Sequence, residues 1–184
     1  MDKRVGHGPP GRDHQKPLTE RGVVDLADAR IKIRSRKPTL ESLTRELDEV
    51  RSLLDQGLST EAKDRLALLI ANARHNPTIL ALARCALATA LEQQGHYRES
   101  LAAVSMYEAP EARDKLDDQT VSHLRVQIGL GYNYSGDHPK AIAMLKSTVR
   151  DYAENPTVNL GHIYAALART YRSISEYPIA RDYA

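Results

Sequence analysis

Seven histidines, at positions 7, 14, 75, 96, 123, 138 and 162, and one cysteine, Cys85, are the residues of this 184-residue chain best suited to ligate a metal or attack a substrate. Their spacing points away from both. Two ligands on one helix face need to lie one turn apart, and no two of these histidines do, nor does a cysteine cluster join them. No Gly-rich phosphate loop follows a strand, and no strand is evident. Cys85 has Ala83, Ala86 and Leu87 around it, which fits a small core residue; a reactive thiolate needs an electropositive, partly exposed setting. Asp117-Asp118 reads as a helix start, where negative charge complements the dipole. No catalytic, metal or cofactor site is therefore expected, and the remaining chemistry is that of charge. Arg169 and Arg172, with His162 nearby, are one cationic group; Arg30, Lys32, Arg34, Arg36 and Lys37 are another.

The elements that must position these groups come from composition and periodicity. With 41% hydrophobic residues the chain can bury one sizeable core and is short for two independent domains. No run approaches the roughly 20 apolar residues of a membrane span. The opening residues lack an apolar signal-peptide core, and a lone cysteine fits a reducing compartment, so a cytoplasmic protein is expected. The net charge of +2 hides an asymmetry: residues 1–40 hold ten Lys or Arg against five Asp or Glu, and the remainder 16 against 19. Met1 to Pro17 is rich in Gly, Pro and charge with almost nothing to bury, the composition of a disordered segment. The run Arg30 to Lys37, five basic residues in eight, could neutralise phosphates but has no aromatic residues interleaved for stacking. It reads first as a solvated linker, and second as a nucleic-acid contact.

From Thr39 onward the chain reads as helices only. Thr39 caps a helix with the apolar stripe Leu40, Leu43, Leu47, Val50 and Leu54, which Gly57 stops. Ser59 opens a second helix with Ala62, Leu66, Leu69, Ile70 and Ala73. Thr78 is expected to cap a third, with Leu80, Ala83, Leu87, Ala88 and Leu91, ending at Gly95. Its partner runs from Tyr97 through Leu101 and Val104 to Tyr107. Arg125 to Tyr152 gives a helical hairpin in which Gly136 ends one helix, Asp137 caps the next and Pro139 sits in its first turn. Ile163, Tyr164, Leu167, Ala168 and Tyr171 mark another helix, and Ser175 is expected to cap the last.

The turns Gly57, Gly95, Gly136 and Ser175 are 38, 41 and 39 residues apart, a nearly constant period that defines a repeat array. Superposed on the turns, Val50, Ala88, Gly129 and Ala168 form one column, Leu53, Leu91, Tyr132 and Tyr171 a second, and Ala62, Ser100, Ala141 and Ala180 a third. Small residues recur where helices must approach closely, and large apolar ones where neighbouring hairpins interdigitate.

These columns resemble the tetratricopeptide repeat (TPR), whose signature pairs a small residue with Leu or Tyr in the first helix and places Gly-x-Tyr-x-x-Ala at the turn. The matching residues are Leu87-Ala88, Leu91, Gly95, Tyr97 and Leu101; Gly129, Tyr132, Gly136, Ala141-Ile142 and Leu145; and Ala168, Tyr171, Tyr177 and Ala180. An early tryptophan is absent, and a period near 40 exceeds the usual 34, as in the arrays of bacterial regulators and kinesin light chains. The resemblance implies an all-α, right-handed α-solenoid of four hairpins, at about 43–76, 81–114, 122–155 and 161–184, the last incomplete, after a basic segment spanning 1–38. It also implies a concave groove lined by the first helix of each repeat, presenting Arg51 and Asp55, then Thr89, Glu92 and Gln93, then Gln127, Asn133 and Tyr134, then His162, Arg169 and Arg172. The groove residues are expected to be exposed. The Lys and Asn pair by which chaperone-tail binding repeats hold a terminal carboxylate is missing, with Leu47 and Arg51, Cys85 and Thr89, and Val126 and Leu130 in its place.

A stack of this kind exposes a surface for holding an extended or helical segment of a partner. The expected function is that of a non-enzymatic protein-interaction scaffold or sensor module. Because the last hairpin stops after two turns of its second helix, it is expected to self-associate or to continue in a longer regulatory or signalling protein. The alternative is a regulator that touches nucleic acid through residues 30–37 and uses its repeats for oligomerisation or ligand sensing.

Overall fold

The structure, a computed structural model, describes residues 38–184; the basic run Arg30 to Lys37 lies outside the described residues. Among the described residues there are eight α-helices, two short 3-10 turns and no strand. The helices form four hairpins: α1 (Leu40–Asp55) with α2 (Ser59–Asn72), α3 (Pro77–Gln93) with α4 (Tyr97–Val104), α5 (Asp118–Tyr134) with α6 (His138–Tyr152), and α7 (Leu160–Ser173) with α8 (Tyr177–Asp182).

Capping side chains set all four first-helix starts. The Thr39 hydroxyl accepts the Ser42 N–H at 3.2 Å and the Asp117 carboxylate accepts the Thr120 N–H at 2.8 Å, each satisfying a donor that the helix leaves orphaned. Asp137 does the same for α6, with Pro139 in the first turn. The expected Thr78 cap gives way to Asn76, which accepts the Ile79 N–H at 3.0 Å. Pro77 then occupies the first helical position, where its fixed φ and missing N–H cost nothing. The helix expected from Tyr97 to Tyr107 ends at Val104 and tightens into a 3-10 turn, Ser105–Tyr107, which still brings the Tyr107 ring into the core.

The four turns share one backbone closure. Gly57, Gly95 and Gly136 have φ of +76°, +78° and +85°, and Ser175 joins them at +65° instead of capping α8. The residue after each donates its N–H back to the carbonyl five residues earlier: Leu58 to Leu53 at 2.9 Å, His96 to Leu91 at 2.8 Å, Asp137 to Tyr132 at 2.9 Å and Glu176 to Tyr171 at 2.9 Å. This six-residue closure satisfies orphan carbonyls at the helix end and requires a left-handed residue in the middle. A side chain in that region is disfavoured, so glycine fills three of the four positions.

Burial follows the columns. Val50 and Ala88 are fully buried, as are Ala62, Ser100 and Ala141. At Gly129 an added Cβ would lie 2.9 Å from Cγ of Leu145, so α5 and α6 touch only because that side chain is absent. The core is spread along the stack. Leu47, Val50, Leu66 and Leu69 fill the first two hairpins, Cys85, Val104, Leu124 and Ile128 the middle, and Leu145, Ile163, Leu167 and Tyr171 the last two. Each hairpin thus buries its apolar face on its neighbours, as a quasi-one-dimensional array does.

First helices pack directly on first helices, α1 on α3, α3 on α5 and α5 on α7. Second helices pack on their own partner and on the next first helix, and no two of them are in comparable contact with each other. Closer spacing on one side than on the other is the arrangement that bends a stack toward that side, and the face formed by the first helices is termed the inner wall.

Candidate functional site

The eleven groove residues read from the sequence all lie on the first helices, and their exposure differs. Arg51, Asp55, Gln93, His162, Arg169 and Arg172 are exposed, Thr89, Glu92 and Tyr134 are partly buried, and Gln127 and Asn133 are buried at 6% and 3% exposure. The expectation of a uniformly exposed set therefore fails at the two amides. They are short polar groups that bridge neighbouring first helices, and a bridge between packed helices is covered by them.

A chain of side-chain bonds crosses the wall. The Gln93 amide donates to the Leu54 carbonyl at the end of α1, at 3.0 Å. Oε1 of Glu92 accepts both the Ser100 hydroxyl, at 2.8 Å from α4, and the Gln127 amide, at 2.6 Å from α5. Asn133 donates to the Ser173 hydroxyl at 3.2 Å and its oxygen faces Nδ1 of His138 at 3.0 Å, joining α5 to α7 and α6. Arg169 donates to the Tyr134 hydroxyl at 2.9 Å, and the Tyr134 ring stacks on Tyr97 at 5.2 Å between centroids. His123 and His162 face each other at 5.2 Å across α5 and α7.

Burial and charge tune the titrating groups. Burial pushes the Glu92 carboxyl up to about 7, against the opposing pull of the Ser100 bond, the Arg169 charge and the Gln127 bond. Burial pulls His123 down to about 4, assisted by His162 and Arg51, and also lowers His162, assisted by Arg169. Around neutral pH His123 is thus uncharged while Glu92 is half-titrated. Burial pushes the Cys85 thiol up to about 12, which removes its nucleophilic form and leaves it a small core residue.

Arg169 and Arg172 have no carboxylate within ion-pair distance among the described residues, whereas Arg51 lies 3.4 Å from Asp48 and Arg125 lies 2.8 Å from Asp151. Both also border a depression of about 840 Å³ on the fourth hairpin, with Tyr164, Tyr177, Arg181 and Tyr183. A smaller depression of about 350 Å³ lies between α1, α3 and α5, bordered by Arg51, Leu82, Thr120 and His123. Among the described residues no three His, Cys, Asp or Glu side chains gather as a metal-ligand set, and no helix is long and apolar enough to cross a membrane.

Sequence reading alone left out four residues that bond to or stack on the wall's side chains, His123 and Ser173 on first helices and Ser100 and Tyr97 on α4. Two of them were signalled. Ser100 is the one hydroxyl in a column otherwise filled by Ala62, Ala141 and Ala180, and a polar residue at a buried alanine position needs a partner. His123 and His162 are 39 residues apart, the local period, so the array itself brings two scattered histidines to matching places. Nothing local marks Ser173, whose bond depends on the offset between α5 and α7.

Helical hairpins stacked with a first-helix inner wall define an α-solenoid. No protein-family model matches the sequence, and comparison with curated proteins gives no match. Solved structures do match: a variant of a Podosopora anserina protein described as a kinesin light chain, with nearly identical TPR-like repeats, superposes with a TM-score of 0.60 at 17% identity, covering 89% of this chain and 82% of that one. A second structure of that kinesin light chain gives 0.57 over the same shares, again at 17% identity. At this identity the likeness is one of fold, and in fold the chain is a TPR-like repeat array.

Proposed function

We propose that the chain is a protein-interaction scaffold whose inner wall holds an acidic segment of a partner protein. A TPR-like array supports protein interaction in general terms, and one observation supports the finer reading. Arg169 and Arg172 present guanidinium groups on the wall with no carboxylate within ion-pair distance among the described residues, while Arg51, the third arginine of the groove set, is matched to Asp48. A guanidinium fork pairs with a carboxylate through two parallel bonds, and an unmatched fork beside the Tyr97–Tyr134 stack offers both charge and an apolar platform to an extended chain. Thr89, Gln93 and His162 add polar contacts along the same face. The reading makes the protein a sensor or scaffold of cytoplasmic regulation and not an enzyme.

Selection of random displayed peptides against the full 184-residue chain tests it. Enrichment of Asp- and Glu-containing segments, bound about tenfold less tightly after Arg169→Ala with Arg172→Ala, is the expected outcome for a desolvated charge pair worth about 1.4 kcal/mol. Enrichment of basic or purely apolar segments, or indifference to both substitutions, overturns it.

A further inference from the structure

Glu92 is the acidic residue of the wall whose bonding is lopsided. Its Oε1 already accepts two donors, Ser100 and Gln127, while Oε2 takes none among the described residues and is not sealed from solvent. A carboxyl group in this setting has one place for its proton: Oε1 has its acceptor positions filled, so the hydrogen sits on Oε2 and is left as an unused O–H donor. Ser100, fully buried, and Gln127, at 6% exposure, hold the group in orientation from α4 and α5. Arg169, from α7, is close enough for its charge to act on Glu92.

We propose that Glu92 is a specificity-determining residue of the wall: its neutral carboxyl donates the Oε2 hydrogen to a carboxylate of the partner's acidic segment, beside Arg169. A carboxylic acid facing a carboxylate forms a short, charge-assisted O–H···O bond, whereas two carboxylates at that distance repel. The inference rests on the acidic-partner reading and adds to it that binding takes up a proton. Burial places the carboxyl's titration at about 7, so the donor form is lost across the neutral range. The charged or titratable groups around it do not supply the same dependence. His123 on α5 titrates at about 4, His162 on α7 is lowered below its usual range, and the buried thiol of Cys85 on α3 itself stays protonated, while Arg51 on α1 and Arg169 on α7 are the cations of the same face.

The probe is a labelled N-acetylated hexa-aspartate peptide, with affinity for the full chain measured by fluorescence anisotropy from pH 6 to pH 8. If only the protonated form binds, the bound-competent fraction falls about tenfold over that range. Glu92→Gln is expected to bind with the pH 6 affinity of the unmodified chain at every pH, because its amide donates without titrating, and Glu92→Ala to bind weakly at every pH. Calorimetry at pH 7 in buffers of different ionisation heat is expected to register proton uptake that Glu92→Gln lacks. Binding that Arg169→Ala weakens but that is flat with pH, or whose pH dependence survives Glu92→Gln, overturns the role of Glu92 and leaves the acidic-partner reading standing. Absence of binding at any pH, or binding indifferent to Arg169→Ala, overturns both.

Discussion

Leu54, Glu92, Asn133 and Arg172 occupy one position of the repeat, three residues before the turn, and the backbone and side chains there behave oppositely. The backbone does the same thing four times: each carbonyl accepts the turn residue's N–H, at 3.0 Å from Gly57, 2.9 Å from Gly95, 3.1 Å from Gly136 and 3.1 Å from Ser175. The side chains are an apolar group, an acid, an amide and a base. Leu54 fills the core, Glu92 ties three helices together, Asn133 bridges to α7, and Arg172 makes no side-chain bond among the described residues. The turn edge is therefore built from repetition and the inner wall from its absence. A scaffold can hold a constant backbone while each repeat contributes a different contact, because the closure uses main-chain atoms and leaves the side chains free.

Substitutions on the repeating side are expected to lower stability without altering the wall's chemistry, and the largest effect belongs to the column of close contacts. Leu145→Ala empties a fully buried site against Gly129 and should cost about 2–5 kcal/mol in urea unfolding. A loss under about 1 kcal/mol would mean that α5 and α6 collapse onto the cavity and that the Gly129 column does not set their spacing. Next comes Gly136→Val, which forces a β-branched side chain into φ near +85°. It should cost about 1–2 kcal/mol or more, measured the same way.

On the non-repeating side the effects depend on pH. Glu92 loses its proton near 4.5 in the unfolded chain and about 7 in the fold, so the unfolded state binds fewer protons between these values and stability falls as pH rises through them. His123 runs the other way: the unfolded chain protonates it near 6.5 and the fold only at about 4, so stability falls as pH drops from 6.5 to 4. The two slopes oppose each other between 4.5 and 6.5. Glu92→Gln should therefore leave a chain that loses stability more steeply in acid, and His123→Gln one that gains it, each slope bounded by about 1.4 kcal/mol per pH unit. Urea titrations at half-unit pH steps check this; equal slopes in both variants would show that the wall's titrating groups do not set its stability.

The same contrast explains what could be read without coordinates. Repetition is visible in one dimension: Gly57, Gly95 and Gly136 gave the turns, and Ala62, Ala141 and Ala180 the close contacts, since each physical constraint recurs every 38 to 41 residues. The wall residues could be placed on the first helices for the same reason, but not their bonding. Gln127 meets Glu92 and Asn133 meets Ser173 through the sideways offset of one hairpin against the next, a quantity that no single repeat encodes. Thr78 and Ser175 were misplaced as caps because Asn76-Pro77 is a better start than Thr78, and because the fourth turn needs its left-handed residue more than α8 needs a cap. Ser175 looked like a cap only because serine is a good one.

That last exception gives the smallest and sharpest measurement. Ser175 takes φ of +65° in a position where the other three repeats use glycine, and it closes the turn with the same Glu176 to Tyr171 bond at 2.9 Å. The serine Cβ therefore carries a penalty that the other turns avoid, of about 1–2 kcal/mol for a left-handed residue. Glycine gives part of this back through its greater freedom in the unfolded chain, about 0.4–1 kcal/mol. Ser175→Gly should thus stabilise by about 1 kcal/mol or less, although it removes a hydroxyl, because the side chain is exposed and makes no hydrogen bond among the described residues. The gain should appear in hydrogen exchange as slower opening of α7 and α8 while α1 and α2 are unchanged, since a stacked array passes local stability only to its neighbours. Destabilisation by Ser175→Gly would show that the fourth turn is closed by a contact of the serine side chain, and that the fourth repeat is held differently from the other three.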